Sequence, residues 1–490
     1  MSDEQRWGIH WFRRDLRVRG NPALEWSVRE HQGRVLGIFS FDPAFLGRAD
    51  FSVNRFGFFL EALAALQSDL RAHGGDLLVL DASPAQSFDA LLTRLKDAKV
   101  ALPSTWSWNR DYEPFSIRRD AQIESLLFDS HGIVTHTDRD HLLIEPRELY
   151  KNETPGSFYQ VFTPFRKTWL RLLATDEMQE RLAFQKEALK RPLRFSLRWP
   201  AVLGRQPEDT LAEYRKRIGA QLTVRLPKAG SGAAQDTLKV FKAEALSDYD
   251  HQRDIPSVEG TSHFSVYLKN GSLTVAQAIV QLELADGGDS KFLSELVWRE
   301  FYYHVLAHLP RVESTPFNRG YQNIEWENRP DHFEAWKEGR TGFPIVDAGM
   351  RQLRETGWMH NRVRMITASF LCKDLLVNWQ WGENHFMKLL LDGDLAPNNG
   401  GWQWAASTGC DPQPYFRIFN PALQGQRFDP EGAYVRRWVP ELSKVPAQDI
   451  HEPWKRNAAA GTGYPKPIVE HAVQSRRAVA LYRAARSAPP

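Results

Sequence analysis

The first third of the chain alternates short apolar runs with amphipathic stretches, and this alternation limits the folds open to it. Four runs are continuously apolar or β-branched, at 8–12, 35–41, 76–80 and 133–136. Helix-like segments lie between them. Buried runs separated by helices are typical of right-handed βαβ units, which form a parallel sheet covered by helices on both faces. The sequence therefore predicts a doubly wound α/β domain over residues 1–135.

The rest of the chain follows a different period. Over residues 136–225, prolines interrupt the pattern at positions 192, 200 and 207 and no strand period is visible, which predicts an interdomain connector. Over residues 226–490, apolar residues recur at steps of three and four, as at Val363, Ile366 and Phe370, and such residues line one face of a helix. We therefore expect an all-α second domain.

One helix of this second domain carries boundary signals at both ends. Pro344 suits the first turn of a helix, where its missing N–H has no partner to lose, and a helical pattern follows it. Gly357 suits the position just past the end. A helix is predicted between them.

The overall composition excludes several classes of protein. With 42% hydrophobic and 25% charged residues, the chain fits neither a disordered, a collagen-like nor a membrane protein. No run approaches the roughly 18 apolar residues of a spanning helix, and the start of the chain lacks the apolar core of a signal peptide. We expect a monomer in the cytoplasm with no membrane partner.

Cysteine usage and net charge narrow the chemistry further. Cys372 and Cys410 are the only cysteines, with neither a CxxC spacing nor a nearby histidine cluster, so we expect buried free thiols and no metal site. The net charge is only +3. Any binding to nucleic acid must therefore come from a local basic patch.

The residues after the first apolar run argue against the usual dinucleotide motif. They read Arg13-Arg14-Asp15-Leu16-Arg17 and contain no glycine. The common fingerprint needs glycines there so that the backbone can approach a pyrophosphate. An ordinary dinucleotide site at the first strand is not expected.

A second candidate phosphate site begins the helical domain. The segment Glu259-Gly-Thr-Ser-His-Phe-Ser265 places hydroxyl residues and a glycine just before a helical pattern that starts near Val266. Hydroxyls and free amides at a helix start can hold a phosphate. An ordinary helix cap is the commoner explanation of such a segment taken alone.

Longer motifs elsewhere in the chain favour a phosphate site over an ordinary helix cap. In order, they run from Trp11 to Arg17 (WFRRDLR), from Glu295 to Phe301 (ELVWREF), from Gly357 to Met365 (GWMHNRVRM), from Asp392 to Trp404 (DGDLAPNNGGWQW), from Tyr415 to Pro421 (YFRIFNP) and from Pro467 to His471 (PIVEH). The chain with these motifs resembles the photolyase/cryptochrome family, specifically the class I cyclobutane pyrimidine dimer photolyases. The resemblance covers the whole chain and is densest from Glu295 to Pro440.

The resemblance implies light-dependent repair of ultraviolet-damaged DNA. In this family an α/β N-terminal domain precedes an all-α domain that binds FAD. The implied reaction is splitting of a cyclobutane pyrimidine dimer by electron transfer from photoexcited reduced FAD to the flipped-out dimer, and photolyases are among the enzymes that flip bases.

The resemblance also assigns a set of cofactor residues. Asp392 and Asp394 are implied to hold the isoalloxazine and ribityl side of FAD, with Arg364 paired to Asp392. Asn398 is implied to face the flavin N5, where an amide can hydrogen-bond without adding a charge that would repel an anionic reduced flavin. The remaining implied contacts, with the FAD phosphates and their surroundings, are Tyr249, Thr261, Ser262, His263, Phe264 and Ser265.

Tryptophans are numerous, 17 in all, and the resemblance gives three of them a redox role. Trp402, Trp379 and Trp326 are implied to pass electrons from the surface to photoexcited flavin. Core packing is the alternative for Trp379. Trp402 and Trp404 are two positions apart, so on a helix their rings are expected on nearly opposite sides, one toward the flavin and one toward the substrate.

The implied substrate contacts combine an apolar wall with polar groups, as a flipped-out pair of adjacent pyrimidines requires. Trp298 and Trp404 form the wall, Met365 adds a soft contact, and Glu295 is implied to act on the pyrimidine carbonyl or N3 edge. Further contacts to the bases and the strand are implied for Arg253, Arg299, Asn361, Arg362, Arg417 and Gln424. Taken singly, each arginine would more often be a solvated surface charge.

A second chromophore is left open. Family members with a folate antenna carry particular residue pairs that we do not find, since Phe115-Ser116 and Arg311-Val312 stand near two of the expected places. Deazaflavin users share patterns similar to Trp108-Asn-Arg-Asp-Tyr-Glu-Pro114. A folate antenna, a deazaflavin antenna and an empty pocket all remain.

Three other functions compete with dimer repair. A cryptochrome-type blue-light photoreceptor would repair nothing, and such proteins often differ at the position of Asn398. An enzyme for six-four photoproducts would carry a second histidine where Asn361 follows His360. A light-independent flavoprotein has no need for arginines around one cavity. We favour dimer repair.

Overall fold

The structure of the protein is a computed structural model that describes residues 6–191, 193–197, 208–288 and 290–487. Its N-terminal part is an α/β region built on one parallel sheet of five strands, in the order β3-β2-β1-β4-β5. The strands are β1 (Gly8–Trp11), β2 (Val35–Ser40), β3 (Leu77–Leu80), β4 (Thr105–Asn109) and β5 (Val134–Asp138). The predicted α/β fold class is confirmed.

Strand β4 was not predicted from the apolar pattern. Its sequence, Thr-Trp-Ser-Trp-Asn, is interrupted by polar residues, yet four of its five residues are buried. Ser107 hydrogen-bonds His10 at 3.0 Å, and the amide of Asn109 donates to Asp15 at 2.6 Å. Because the buried polar atoms find partners in a neighbouring segment, this strand needs no continuous apolar run.

Helices cover both faces of the sheet. Two clusters of buried apolar residues pack on opposite sides, one around Phe12 and Leu66 and the other around Trp11 and Trp106. The helices are α1 (Pro22–Glu30), α2 (Pro43–Leu46), α3 (Val53–Ala72), α4 (Pro84–Asp97) and α5 (Pro114–Ser125), followed by a π-helical turn, Leu126–Ser130.

The predicted connector contains helices of its own. They are α6 (Phe162–Leu173), α7 (Asp176–Ala188) and α8 (Glu208–Gly219), after a short 3₁₀ turn at Lys151–Glu153. Phe165 and Trp169 of α6 join the buried core of the C-terminal region. The positions 192, 200 and 207, at which prolines interrupt the pattern, lie outside the described residues.

The described residues of the C-terminal region form helices joined by turns and irregular segments, with no strand among them, as predicted. Its α-helices are α9 (Gly230–Glu244), α10 (Tyr249–Gln252), α11 (Ser265–Asn270), α12 (Val275–Gln281), α13 (Lys291–His308), α14 (Pro330–Glu338), α15 (Pro344–Thr356), α16 (Asn361–Lys373), α17 (Trp379–Leu389), α18 (Leu395–Ala405), α19 (Pro421–Phe428), α20 (Ala433–Trp438) and α21 (His471–Ser487). Single 3₁₀ turns lie at Pro310–Glu313, Arg319–Tyr321 and Pro440–Leu442.

The boundary signals of α15 are confirmed. Pro344 is the first helical residue, and Gly357 ends the helix in the left-handed conformation with φ of 69°. A side chain there would also meet Leu391, one residue before Asp392. Glycine is required at this turn for both reasons.

Both cysteines are buried free thiols, as predicted. Among the described residues, no three His, Cys, Asp or Glu side chains are grouped as a metal ion would require. Over the same ranges of the chain, no helix combines the length and apolar character that crossing a membrane demands.

Candidate functional site

A cavity of about 480 Å³ opens into the helical region. Helices α11, α13, α17 and α18 border it, together with the segment 358–365. All ten residues that the resemblance assigns to FAD line this one cavity: Tyr249, Thr261, Ser262, His263, Phe264, Ser265, Arg364, Asp392, Asp394 and Asn398. The structure thus brings together residues that lie nearly 150 positions apart in the chain.

The hydroxyl segment forms one end of the cavity. Phe264 is buried and packs edge-on against Phe241 and Phe292, which anchors the turn before α11. His263 adopts a positive φ of 53°, and Thr261 and Ser262 remain partly exposed beside it. The anchored turn leaves hydroxyls and the first amides of α11 at the cavity wall, where a phosphate can accept from them.

The predicted pair of Arg364 and Asp392 is present. The Arg364 Nη2 donates to Asp392 Oδ2 at 2.9 Å, while its Nε donates to the Met359 carbonyl at 2.8 Å. The second carboxylate oxygen, Asp392 Oδ1, is buried and has no hydrogen-bond partner among the described residues. A buried acceptor without a donor is costly, so this atom fits a ligand that presents an N–H or O–H group. The residues present therefore fit FAD.

Asn398 lies on α18 beside a buried acid. Its amide nitrogen donates to the Glu383 carbonyl at 3.3 Å, which turns one side of the amide away from solvent. The next residue, Asn399, donates to the Glu383 carboxyl at 2.9 Å. Burial raises the pKa of Glu383 to about 8, so the wall behind Asn398 carries a neutral acid at pH 7.

Trp402 borders the cavity and is buried in the core of the helical region. Its ring meets Phe386 at 4.9 Å and Trp336 at 6.0 Å between centroids, and its indole lies against Gly382. Trp379 is one turn before Gly382 on α17 and is buried in the same core. A Cβ at Gly382 would collide with the indole, so glycine permits this close packing.

Trp326 and Trp404 lie farther out. Trp326 is partly buried and contacts Tyr482 edge-on, with centroids 6.0 Å apart. Trp404 is also partly buried, beside Phe419. The spacing of Trp402 and Trp404 predicts rings on nearly opposite sides of α18, and both residues border the one cavity, which touches α18 at several positions from 397 to 404.

The outer part of the cavity combines aromatic and polar side chains. Trp298 stacks on Phe162 with ring centroids 3.7 Å apart, and Met365 borders the same space. Glu295 accepts from Arg253 at 2.9 Å. Burial raises the pKa of Glu295 above its ordinary value, while the guanidinium of Arg253 acts in the opposite direction.

Arg362 and Asn361 stand at the start of α16, where the cavity meets solvent. Arg362 donates to Asp254 at 2.8 Å and stacks over Phe428 at 4.5 Å, whereas Asn361 is exposed. Arg417 and Gln424 do not line the cavity. Arg417 is exposed beside Phe416 on the segment between α18 and α19, and Gln424 lies on α19.

Arg299 is placed differently from the expectation. It lines the cavity but is buried, donating to the ring and the carbonyl of His141, with Asp394 3.8 Å away. Its guanidinium belongs to an internal cluster of polar groups, because α13 turns this side chain toward the α/β region. We therefore remove Arg299 from the residues proposed to contact a DNA backbone.

Sequence reasoning missed several residues of the same walls. Trp358 meets His263 with ring centroids 4.5 Å apart, and Asp254 is the partner of Arg362. Trp358 could have been found, because it belongs to the quoted motif from Gly357 to Met365. Asp254 follows Arg253 with no pattern of its own, so only the fold identifies it.

A second cavity, of about 250 Å³, lies between the α/β region and the helical region. Aromatic side chains of α2, of α3 and of the segments that precede these two helices dominate its walls, among them Phe41, Phe45, Phe51, Phe56 and Phe59. Of the residues considered for a folate antenna, Ser116 borders this cavity. Flat aromatic rings of this kind can hold a planar ligand by stacking.

Comparisons with known proteins identify the family of the chain. Residues 8–184 match the family model of DNA photolyase, and residues 292–484 match that of the FAD binding domain of DNA photolyase. The deoxyribodipyrimidine photo-lyase of Escherichia coli is 40% identical over 97% of this chain and 98% of its own length.

Two solved structures are also similar. A bacterial class III photolyase from Agrobacterium tumefaciens has a TM-score of 0.83 and 33% identity over 99% of this chain and 98% of its own. An archaeal photolyase from Sulfolobus tokodaii with two FAD molecules has a TM-score of 0.78 and 32% identity over 97% and 99%. From the residues of its cavity and its likeness to these relatives over nearly the whole chain, the protein belongs to the DNA photolyase family and carries that family's FAD-binding domain.

Proposed function

We propose that the protein splits cyclobutane pyrimidine dimers in ultraviolet-damaged DNA by light-driven electron transfer. The observation that carries the proposal is that one cavity is lined by two kinds of side chain. The buried carboxylates of Asp392 and Asp394 line what we call its inner part, and the half-buried Trp298, Trp404 and Glu295 line what we call its outer part. We propose that a cofactor and a flipped-out pair of adjacent pyrimidines lie side by side in it.

The inner part suits FAD. When bound and reduced, FAD supplies the light-absorbing electron donor. Asp392 offers its free Oδ1 to a ligand donor, Arg364 holds that carboxylate in place, and Asn398 contributes an uncharged amide. Thr261, Ser262 and Ser265 are proposed to take the phosphates, while the buried rings of Phe264 and Phe292 exclude water from that end.

The outer part suits a pyrimidine dimer rather than a neutral hydrophobic molecule. Trp298 and Trp404 offer stacking faces, and stacking of a base on an aromatic side chain stabilises binding by about 1–3 kcal/mol. Glu295 lines the same cavity and burial raises its pKa, so its protonated form can donate to a pyrimidine carbonyl. Arg253 is paired with Glu295, and a DNA phosphate would compete for the guanidinium.

The pair of residues His360 and Asn361 favours a cyclobutane dimer over a six-four photoproduct as the substrate. His360 is buried, and its Nδ1 accepts from the Arg362 amide at 3.2 Å, so it caps α16. Burial lowers its pKa to about 4, which leaves the imidazole neutral at pH 7. The next residue, Asn361, cannot act as a second acid, so the pair of histidines that six-four repair is expected to use is absent at this position.

We further propose that the second cavity takes a planar antenna chromophore of flavin or deazaflavin type. The phenylalanines of its walls match a tricyclic ring better than the flexible tail of a folate. Arg48 and Arg55 border the same space and can meet an anionic group on the chromophore. Mass spectrometry of chromophores released from purified protein, beside the absorption spectrum, tests this; a folate would overturn it.

The repair proposal is tested with oligonucleotides that carry one defined lesion. Dark binding is measured for a dimer, a six-four photoproduct and undamaged DNA, and each complex is then illuminated. We expect tight dark binding and light-dependent repair of the dimer alone. Repair of the six-four lesion would overturn the substrate, and binding or light response without any repair would indicate a photoreceptor. Trp454→Phe, in a tryptophan that packs on Phe343 and does not line the cavity, is the control variant.

A further inference from the structure

Asp394 is held by an arginine from the other region of the protein. Arg14 follows β1, and its Nη2 donates to Asp394 Oδ1 at 2.8 Å, across 380 positions of sequence. The same nitrogen donates to the hydroxyl of Tyr303 at 2.6 Å, and that hydroxyl donates to Asp394 Oδ1 at 2.6 Å. Lys269 adds a third donor at 3.0 Å. The carboxylate thus has little freedom to turn.

Arg14 is itself fixed from its own side. Its Nη1 donates to Glu113 at 2.5 Å, and Asp111 lies 3.5 Å away, both in the α/β region. Its Nε donates to the carbonyl of Lys269 at 3.2 Å. A guanidinium has its donors in a rigid fork, so one arginine can join two carboxylates with defined geometry.

The charges of the cluster agree with a permanent ion pair. Burial favours the neutral acid, but Arg14, Lys269 and Arg299 together lower the pKa of Asp394 well below its ordinary value. Burial and the same two arginines lower the pKa of His141, which is therefore neutral and adds no competing cation. These cations therefore favour the ionised form of Asp394.

This cluster separates the two cavities. Asp394 and Arg299 border the first cavity, Arg14, Glu113 and Lys269 border the second, and Gly393 borders both. A Cβ at Gly393 would collide with Arg55, another arginine of the α/β region, which donates to the carbonyls of Met387 and Leu390. Two arginines of the α/β region therefore hold the segment from 387 to 394.

We infer that Arg14 is a positioning residue for the FAD site, acting across the interface of the two regions by fixing the carboxylate of Asp394. The inference rests on the proposed place of Asp394 in that site. Its consequence is that the helical region alone does not complete the cofactor site, because one determinant of it belongs to the sheet.

The test is a double-mutant cycle in the full-length protein. Arg14→Gln, Asp394→Asn and the double variant are compared for the rate of FAD release after dilution, followed by flavin fluorescence, and for the absorption spectrum of the bound flavin. Contacting residues couple by amounts that correspond to about tenfold in an equilibrium constant. We expect Arg14→Gln to weaken FAD binding by about that factor in the parent, and by little in the Asp394→Asn background.

Two further variants support the interpretation. Arg14→Lys keeps the charge without the fork, so it should restore part of the affinity. Arg110→Gln removes an arginine that pairs with Glu145 at 2.8 Å in the α/β region, and should leave FAD release unchanged even if it lowers stability. If Arg14→Gln does not fold, Arg14→Lys replaces it in the same cycle, with a smaller expected loss.

The outcomes separate the two claims. Equal losses from Arg14→Gln in the parent and in the Asp394→Asn background would show that Arg14 acts on the fold alone and would overturn the inference. Unchanged FAD release in Arg14→Gln would overturn it as well. If Asp394→Asn itself leaves FAD release and the flavin spectrum unchanged, the proposed place of Asp394 in the FAD site fails instead.

Discussion

At the scale of single residues, the site depends on acids whose surroundings set different protonation states. Asp394 lies among cations, which keep it charged, whereas Glu383 lies in a buried wall that raises its pKa to about 8. Glu295 stands between these cases, with burial and Arg253 acting against each other. Carboxyl groups in and behind the walls of one cavity thus differ in protonation because their environments differ.

For Glu295 we predict a loss of repair yield that exceeds the loss of binding. Negative charge develops on the pyrimidine carbonyls when the dimer receives an electron, and a protonated Glu295 can donate to it. Losing one such donor typically costs about 3 kcal/mol in thermal reactions. Return of the electron competes with splitting, so the loss per absorbed photon will be smaller.

Single-flash repair of a saturating dimer-containing oligonucleotide, with affinity measured in the dark, checks this. Glu295→Ala should lower the yield, and Glu295→Gln, whose amide still donates, should retain more of it. An unchanged yield with weakened affinity would make Glu295 a binding residue only.

Trp402→Phe should slow the light-driven reduction of oxidised FAD and leave repair intact after reduction with dithionite. Phenylalanine keeps the packing against Phe386 and Trp336 but does not give up an electron readily. Steady illumination with a thiol donor, followed by absorbance, measures the first effect. Failure of the chemically reduced variant to repair bound dimers would contradict a role confined to activation.

At the scale of elements, the two faces of helix α13 contact different parts of the molecule. One face turns Glu295 and Trp298 to the cavity, and the other buries Glu300 against the segment that enters from the α/β region. Glu300 accepts from the indole N–H of Trp169 at 2.6 Å and from the Ile144 amide at 3.3 Å, and also from the Leu143 amide. Through this one acid, α13 holds α6 and the segment at 143–144.

Glu300 predicts a pH dependence of stability. Burial raises its pKa to about 7 from an ordinary value of 4.5, although its donors favour the anion. The folded state binds this proton more tightly than the unfolded state, so the contribution is complete below pH 4.5 and is lost as the pH rises through 7.

Urea midpoints at pH 5 and pH 8 measure this effect. As the pH rises from 5 to 8, the parent protein should lose the stability that protonated Glu300 contributes. Glu300→Gln should show a smaller change, because its amide does not titrate. Equal pH dependence in the two proteins would mean that Glu300 keeps the same protonation in both states.

At the scale of the whole molecule, the charged cluster around Asp394 separates the two cavities, and the α/β region supplies part of that cluster. Every residue that borders the first cavity belongs to the helical region. The second cavity is bordered by both regions, from Trp11 to Leu395. The arrangement joins the sheet to the cofactor site through side chains as well as through the connector.

FAD should be bound without a covalent bond and should stabilise the fold. Ligand that binds only the folded state adds about 4 kcal/mol at 1,000 times its dissociation constant. The thermal midpoint should therefore rise with added FAD, and acid should release the flavin completely. Flavin that stays attached to peptide after denaturation, or a thermal midpoint that does not change when FAD is added, would contradict this.

Much of this protein could be predicted from the order of its residues. The spacing of apolar residues distinguishes buried strands from helices within a short stretch of chain, so the two fold classes were predictable. The ends of α15 were predictable from Pro344 and Gly357. The cofactor residues came from motifs that the resemblance interprets, and the fold places all of them on one cavity. Motifs work here because neighbouring residues such as Asp392 and Asp394 stay close in any fold.

Other features depend on partners far apart in the chain, and only the tertiary structure decided them. Strand β4 is buried although Ser107 and Asn109 interrupt it, because His10 and Asp15 satisfy their polar atoms. Arg299 turns inward because His141 and Asp394 lie there, although its motif suggested DNA. Arg14 joins Asp394 across 380 positions. The energy of a buried charge is set by the groups that surround it in space, and local sequence does not contain them.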